Sequence, residues 1–201
     1  MTRVIMVRHG QTAWNLAQKY QGHSDIELSE AGIRQAELVA ARLANEPIQA
    51  AFASDLGRAY QTAKTIAKNH KLPVHKVAEL REINFGIWEG LTYDQIYSGW
   101  PELIEQLYQK PDEIQIPGGE TFRELKQRAA GCLQRLVAEH EDSTILLVSH
   151  GGTIRTLLCA ALDIHLNHIW QIKQDNTAVS ILEYHDGYPV VTLLNDTHHL
   201  R

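Results

Sequence analysis

The sequence predicts an α/β fold, with a mostly parallel central sheet, helices on both faces and an antiparallel edge. Three observations predict it. Two continuous apolar runs rich in β-formers, residues 4–7 and "TILLVSH" (144–150), read as strands buried on both faces. Stretches of helical periodicity alternate with the strand-like runs, as crossovers between parallel strands require. "AVSILEYHDGYPVVTLLN" (178–195) reads as a β-hairpin around Asp186 and Gly187.

The elements follow in order. After the first strand, Ser29 caps a helix in which Ile33, Ala36, Val39, Ala40 and Leu43 recur at helical spacing, and Pro47 follows its end. "AAFAS" (50–54) is a second short strand. "DLGRAYQTAKTIAKNH" (55–70) is a helix with Ala59, Thr62, Ala63 and Ile66 on one face, and "PVHKVAEL" (73–80) reads as a third strand. The segment 82–119 is irregular, with Trp88, Trp100, Pro101, Pro111 and "PGG" (117–119), and holds short helical pieces near 92–97 and 101–109. A long helix follows Thr121 and Phe122, with Leu125, Ala129, Cys132, Leu133 and Leu136 as its buried stripe. "GGTIRTLLCAAL" (151–162) opens a helix directly after the second buried run. No repeat, low-complexity tract or linker interrupts the chain, so 1–201 reads as a single domain with a small cap at about 82–119.

Composition excludes several classes. A chain that is 44% hydrophobic can bury a sizeable core without disulfide or metal staples. A formal net charge of −5 argues against generic nucleic-acid or anionic-membrane binding, which needs a basic face. No stretch approaches the ~20 apolar residues of a membrane span. Cys132 and Cys159 sit in apolar helical stretches without a CxxC pattern and read as buried free thiols. With no signal-peptide pattern at the N-terminus, a cytoplasmic location is expected.

The chemistry collects where strands end. The first delivers Arg8, His9 and Gly10. The second runs into Ser54 and Arg58, the third into Arg81 and Glu82, and the fourth into His150, Gly151 and Gly152. Ligands of parallel α/β sheets bind outside the carboxyl ends of the strands, so these clusters are expected on one rim. Two guanidiniums match a phosphate by rigid forks. Gly10 and Gly151 let backbone approach a ligand, and helix starts after 54 and 151 direct N–H groups at an anion. No GxxxxGK[ST] or GxGxxG is present, so the nucleotide-loop readings lose support.

His9 alone admits four roles: nucleophile, general base, metal ligand or structural residue. Arg8 beside it disfavours both a second cation and protonation, which counts against a metal and favours a neutral, nucleophilic imidazole. His165 with His168, and His198 with His199, fit metal-ligand spacing poorly and read as surface pairs. His150 is either a satisfied core histidine or a donor to phosphoryl oxygens. Glu82 is either a counter-charge for Arg81 or Arg58, or a general acid and base.

"RHGQTAWN" (8–15), "SDLGRAYQTA" (54–63), "ELREINFGIWEG" (79–90), "PGGETF" (117–122) and "VSHGGTIR" (148–155) resemble, in order, the motifs of the histidine phosphatase superfamily, phosphoglycerate-mutase-like branch. The likeness runs from residue 3 to about 195. It implies a three-layer α/β/α sandwich with a variable cap at 82–119. It also implies that His9 is the phosphorylated histidine, that Arg8, Arg58 and His150 complete the phosphate pocket, and that Glu82 is the proton donor. Asn15, Gln21, Gly22 and Gly151 match positions that line phosphate or substrate. No metal or other cofactor is implied.

The expected activity is a phosphomonoesterase acting on a small phosphorylated metabolite through phosphohistidine. Aromatics Trp88, Tyr93, Tyr97, Trp100 and Tyr108 crowd the cap, where they either pack it onto the domain or, if some face the site, favour a ring-bearing leaving group; α-ribazole 5′-phosphate is slightly favoured for its apolar base. Phosphoserine and broad specificity are the other substrate readings. The alternative activity is a cofactor-dependent phosphoglycerate mutase. It must hold a second acidic group, yet the segment between Glu82 and Pro117 offers only Lys110 as a cation. A catalytically dead binding module would have lost His9 or Glu82, and both are present. The terminal hairpin or an edge strand offers a surface for a homodimer.

Overall fold

Successive residues of a strand face opposite sides of a sheet, and β1 (Thr2–Arg8) divides its apolar residues accordingly. Val4 and Met6 enter a cluster of 27 buried residues on one face; Ile5 and Val7 enter a cluster of 16 on the other. β4 (Thr144–Ser149), buried at every position, repeats the division with Ile145 and Leu147 against Leu146 and Val148. The computed structural model describes all 201 residues.

Six strands form one sheet in the order β3-β2-β4-β1-β5-β6, with β2 at Ile48–Ala53, β3 at Val74–Lys76, β5 at Val179–His185 and β6 at Tyr188–Asp196. The first four positions in that order are mutually parallel. β5 runs antiparallel to β1, and β6 antiparallel to β5. The β5–β6 turn is made by Asp186 and Gly187, both at positive φ (49° and 87°), as a two-residue hairpin turn matched to strand twist requires.

Seven α-helices complete the layers. They are α1 (Ala13–Leu16), α2 (Glu30–Leu43), α3 (Gly57–His70), α4 (Tyr93–Gly99), α5 (Pro101–Gln109), α6 (Phe122–Glu139) and α7 (Gly151–Ala161). α2 and α3 cover the smaller apolar cluster, while α4 to α7 cover the larger. Ser29 caps α2 through the Gly32 amide, and Thr121 with Glu124 forms a capping box on α6, contacts worth about 1 kcal/mol each. Cys132 and Cys159 are buried and free. No helix is long and apolar enough to cross a membrane.

Segment 82–119 is irregular but anchored. Ile83, Phe85, Trp88, Ile96, Ile104, Leu107, Ile114 and Ile116 are all buried in the larger cluster. Trp88 therefore packs the core. Tyr93 and Tyr97 stack on each other at the surface, 5.9 Å apart.

Three local expectations are corrected. The third strand spans only Val74–Lys76, because it is an edge strand with exposed His75 and Lys76; residues 78–80 turn into a 3-10 helix that buries Leu80. Ile33 is exposed, and the buried place on that turn belongs to Gly32, since any side chain there would strike the Gln11 carbonyl. His199 is half-buried, between Arg42 and Thr177, rather than on the surface.

Candidate active site

The parallel register brings the strand ends together. Arg8 lies opposite Ser149, the His9 amide donates to the Ser149 carbonyl (2.9 Å), and the Ser54 amide donates to Val148 (3.0 Å). His9 and His150, one residue beyond β1 and β4, consequently face each other with ring centroids 5.1 Å apart. Both are buried.

His9 Nδ1 lies 2.7 Å from the Gly10 carbonyl, which can only accept. Nδ1 therefore carries the proton, and the lone pair sits on Nε2. Burial first, then the charges of Arg58 and Arg8, hold the imidazole well below its ordinary pKa, so it is neutral at physiological pH. His150 is neutral for the same reasons, burial and then Arg58. Its Nε2 meets Ser54 Oγ at 2.8 Å. Ser54 Oγ also accepts the Leu56 amide (3.3 Å) and has no acceptor for its own proton other than Nε2, which leaves the N–H on His150 Nδ1.

The two arginines are held from behind by carbonyls. Arg8 Nη1 donates to Gln174 (2.6 Å), while Arg58 donates to Gly22 (2.7 Å) and Ser24 (2.8 Å). Burial pushes each down to about 10, helped at Arg8 by Arg155, and both remain charged at neutral pH. Neither has a carboxylate partner. Four buried atoms have no hydrogen-bond partner and belong to residues gathered here: Arg8 Nε, Arg58 Nε, Gln21 Nε2 and His150 Nδ1. All four are donors. Buried polar groups are rarely left unpaired, and a set of orphaned donors around two cations describes an anion site.

Glu82 supplies the opposite polarity. Its carboxylate accepts from the amides of Gly152 (2.9 Å), Thr153 (3.0 Å) and Ile83 (3.0 Å), with Thr153 Oγ1 at 3.2 Å. Arg81 is taken by Asp55 through two bonds, so Glu82 is not its counter-charge. Arg128, on α6, donates to the carbonyls of Glu79, Arg81 and Glu82 and pairs with Glu120, which fixes the chain that carries the carboxylate.

A cavity of about 200 Å³ opens over this floor, lined among others by Arg8, His9, Asn15, Gln21, Glu82 and Gly151. An open groove against α6 is larger, about 620 Å³, but contains none of the orphaned donors. Arg58 and His150 lie beneath the cavity, fully buried. Asn15 Oδ1 is tied to Thr12 and Asn176, and Gln21 Oε1 lies 3.0 Å from Thr12 Oγ1, so both side chains are fixed by their oxygens. No group of three or more His, Cys, Asp or Glu side chains is positioned to hold a metal ion.

Some expectations move. Gly22 is not among the cavity-lining residues and serves through its carbonyl on Arg58. Gly10 is small for packing: a Cβ there would lie 2.4 Å from the Gly32 carbonyl of α2. The start of α3 is turned to Asp25, which accepts the Gly57 amide (2.7 Å), and the start of α7 holds Glu82 rather than an external anion. Of the five cap aromatics, only Tyr108 lines the cavity, together with Tyr20, Phe85 and Trp170.

Sequence reading also missed Arg155, Lys19 and Arg128. Arg155 was detectable as the residue four after Gly151, on the same face of α7. Arg128 breaks the apolar stripe of α6 three residues after Leu125.

The comparisons agree with this architecture. Residues 4–197 match the histidine phosphatase superfamily (branch 1). Phosphoserine phosphatase 1 of Hydrogenobacter thermophilus is 33% identical over 200 residues, covering 100% of this chain and 95% of that protein. A probable phosphoglycerate mutase of Yersinia pestis is 36% identical over 206 residues, with the same coverage. Among solved structures, YhfR of Bacillus stearothermophilus superposes with a TM-score of 0.95 at 34% identity. A phosphoserine phosphatase of Entamoeba histolytica solved with 3-phosphoglyceric acid superposes with a TM-score of 0.91 at 33% identity. Both cover 100% of each chain.

Proposed function

The chain belongs to the histidine phosphatase superfamily and is a phosphoric monoester hydrolase, and from that premise we propose that it cleaves a small phosphorylated metabolite through a phosphohistidine on His9. The observation that carries this reading is the set of orphaned donors around a neutral imidazole whose Nε2 lone pair is free.

Two steps follow. His9 Nε2 attacks the phosphorus in line, forming the N–P bond as the P–O bond to the leaving group breaks, and Glu82, entering the cycle as the carboxylic acid, gives that oxygen its proton and is left as the carboxylate. Arg8, Arg58 and His150 Nδ1–H hold the three equatorial oxygens, where charge is spread in the transition state. Water then attacks the phosphohistidine while Glu82 takes its proton, and inorganic phosphate leaves with His9 neutral again. Asn15, Gln21 and Gly151 line the phosphoryl pocket, and Gly22 supports it through Arg58. The arginines supply the electrostatic stabilisation that a metal would otherwise provide.

The test is phosphate release, in EDTA, from a panel holding phosphoserine, 3-phosphoglycerate, α-ribazole 5′-phosphate and a nitrophenyl ester. A quench with labelled ester traps an acid-labile, base-stable phosphoenzyme. His9→Ala must abolish both signals; full activity in that variant would remove His9 as nucleophile. Isomerisation of 3-phosphoglycerate with a bisphosphate primer, without phosphate release, would instead identify a mutase.

A further inference from the structure

Seven of the eleven arginines on this chain have an acid beside them. Arg3, Arg34, Arg42, Arg81, Arg123, Arg128 and Arg135 each pair with a carboxylate. Apart from the terminal Arg201, the arginines without such a pair are Arg8, Arg58 and Arg155, and all three belong to the same site. Two serve the phosphoryl group under the function proposed above. The third has no assigned task.

Arg155 is built to present its fork. Its Nε donates to the Ile172 carbonyl at 2.6 Å, and its guanidinium lies over the Trp170 ring at 5.5 Å from the centroid. One edge and one face are therefore occupied, and the terminal amino groups have no protein acceptor. A Cβ built on Gly151 would lie 3.1 Å from Arg155 Nη1 and 3.4 Å from Arg8 Nε, so the two guanidiniums flank Gly151. Burial makes this an unfavourable place for a lone cation and holds Arg155 below its ordinary value, against the opposing pull of Glu82 and Asp175; Arg155 in turn lowers Arg8. A second cation, Lys19, lines the same cavity without a carboxylate partner. Glu82 is the one acid in the cavity wall, and its oxygens are engaged by α7 amides.

We propose that Arg155, with Lys19 as an outer partner, binds a carboxylate on the leaving group, so that the substrates are short phosphorylated carboxylic acids. The cavity size agrees. About 200 Å³ holds a phosphoryl group and a few carbons and is smaller than the 300 Å³ or more usual for drug-sized ligands. The fork of Arg155 matches a planar carboxylate bidentately. Tyr20 and Tyr108, joined through their hydroxyls at 2.7 Å, and Trp170 close the sides of that compartment. This assignment rests on the phosphatase reading only for the chemistry at the ester, not for the anion it recognises.

The experiment pairs esters that differ at the carboxylate alone. 3-Phosphoglycerate is compared with glycerol phosphate, and phosphoserine with phosphoethanolamine, for the wild-type enzyme, Arg155→Gln and Arg155→Lys. Wild type should favour each acid in kcat/KM by about 30-fold, the scale of a charge-assisted pair. Arg155→Gln should erase most of that ratio, chiefly through KM, and Arg155→Lys should restore part of it. Equal losses on acid and non-acid esters would make Arg155 a phosphate ligand and overturn the proposal. So would a wild type that prefers glycerol phosphate, α-ribazole 5′-phosphate or a bisphosphate. Calorimetric binding of 3-phosphoglycerate and glycerol phosphate to His9→Ala runs alongside, with Arg155→Gln introduced into that background. If no ester is hydrolysed, the phosphatase reading fails, while the binding ratio still decides the carboxylate site: a preference for the acid that Arg155→Gln removes supports it, and equal binding ends it.

Discussion

Gly152→Ala should separate proton transfer from phosphate binding. Gly152 sits in the first turn of α7, and its amide donates to Glu82 Oε2 at 2.9 Å. A Cβ there would lie 2.6 Å from Glu82 Oε1, where ordinary contact begins at 3.4 Å. Something must yield by about 0.8 Å, and the far end of a glutamate yields more easily than a helix start. The added methyl therefore moves the carboxylate, not the fold. Alanine is also the better helix former, which offsets part of the strain. A displacement approaching 1 Å at a catalytic group costs on the order of 100-fold in rate, about 2.7 kcal/mol of barrier. The loss should depend on the leaving group. Phosphoserine departs as a basic alkoxide and needs its proton, so kcat should fall about 100-fold. A nitrophenolate leaves without help, so its phosphoryl-transfer step should fall several-fold at most. The assay is burst and steady-state kinetics on both esters, with thermal unfolding as the control for folding. An equal fall in the burst rate on both esters, or no fall on either, would refute Glu82 as the acid and the steric reasoning behind it; the shared hydrolysis step, in which Glu82 is the base, slows alike for both.

Four other outcomes are expected. His9 and His150 are held neutral below the ordinary histidine pKa, so above pH ~6.5 neither the folded nor the unfolded state protonates them. Below it the unfolded chain takes up protons that the folded chain refuses, and each histidine lowers stability by about 1.4 kcal/mol per pH unit. Urea midpoints from pH 6.5 to 5 should therefore fall less steeply in His9→Gln than in wild type; parallel curves would show that His9 protonates freely in the fold. Turnover should survive EDTA and gain nothing from added divalent ions; loss on chelation, restored by a metal, would reverse the assignment of the electrostatic work to arginines. Ser54→Ala removes the hydroxyl that sets the His150 tautomer, and should lower kcat about tenfold with little change in unfolding temperature; an unchanged kcat would free His150 of that requirement. His9→Ala should give no phosphoenzyme in an acid-labile trap, and a retained label would place the phosphoryl group elsewhere.

Much of this site could be read from order alone, because the periodicity that makes a strand also fixes where it ends. Residues 4–7 and 145–148 alternate between two apolar clusters, so they are central strands, and parallel central strands set their last residues on one rim. Arg8, His9 and His150 had to meet there. Arg58 followed from the same rule at β2, and the helical stripe of α6 was visible in its spacing. Edge elements were less legible. Residues 73–80 have strand-like composition, but an edge strand pairs on one side only, and Leu80 gains more by turning inward than by extending the ladder.

The sequence by itself determined the layered α/β architecture, the neutral imidazole beside an arginine, and the family motifs that name His9, Arg8, Arg58, Glu82 and His150. Those features depend on local periodicity and on neighbours in the chain. Only the tertiary structure decided what each polar group touches. It turned the start of α3 to Asp25 and the start of α7 to Glu82, gave Gly10 to helix packing and Gly22 to Arg58, and left Arg155 unpaired over Trp170. Such pairings join residues far apart in sequence. A hydrogen bond requires distance and angle together, and these exist only after the helices and sheet have packed.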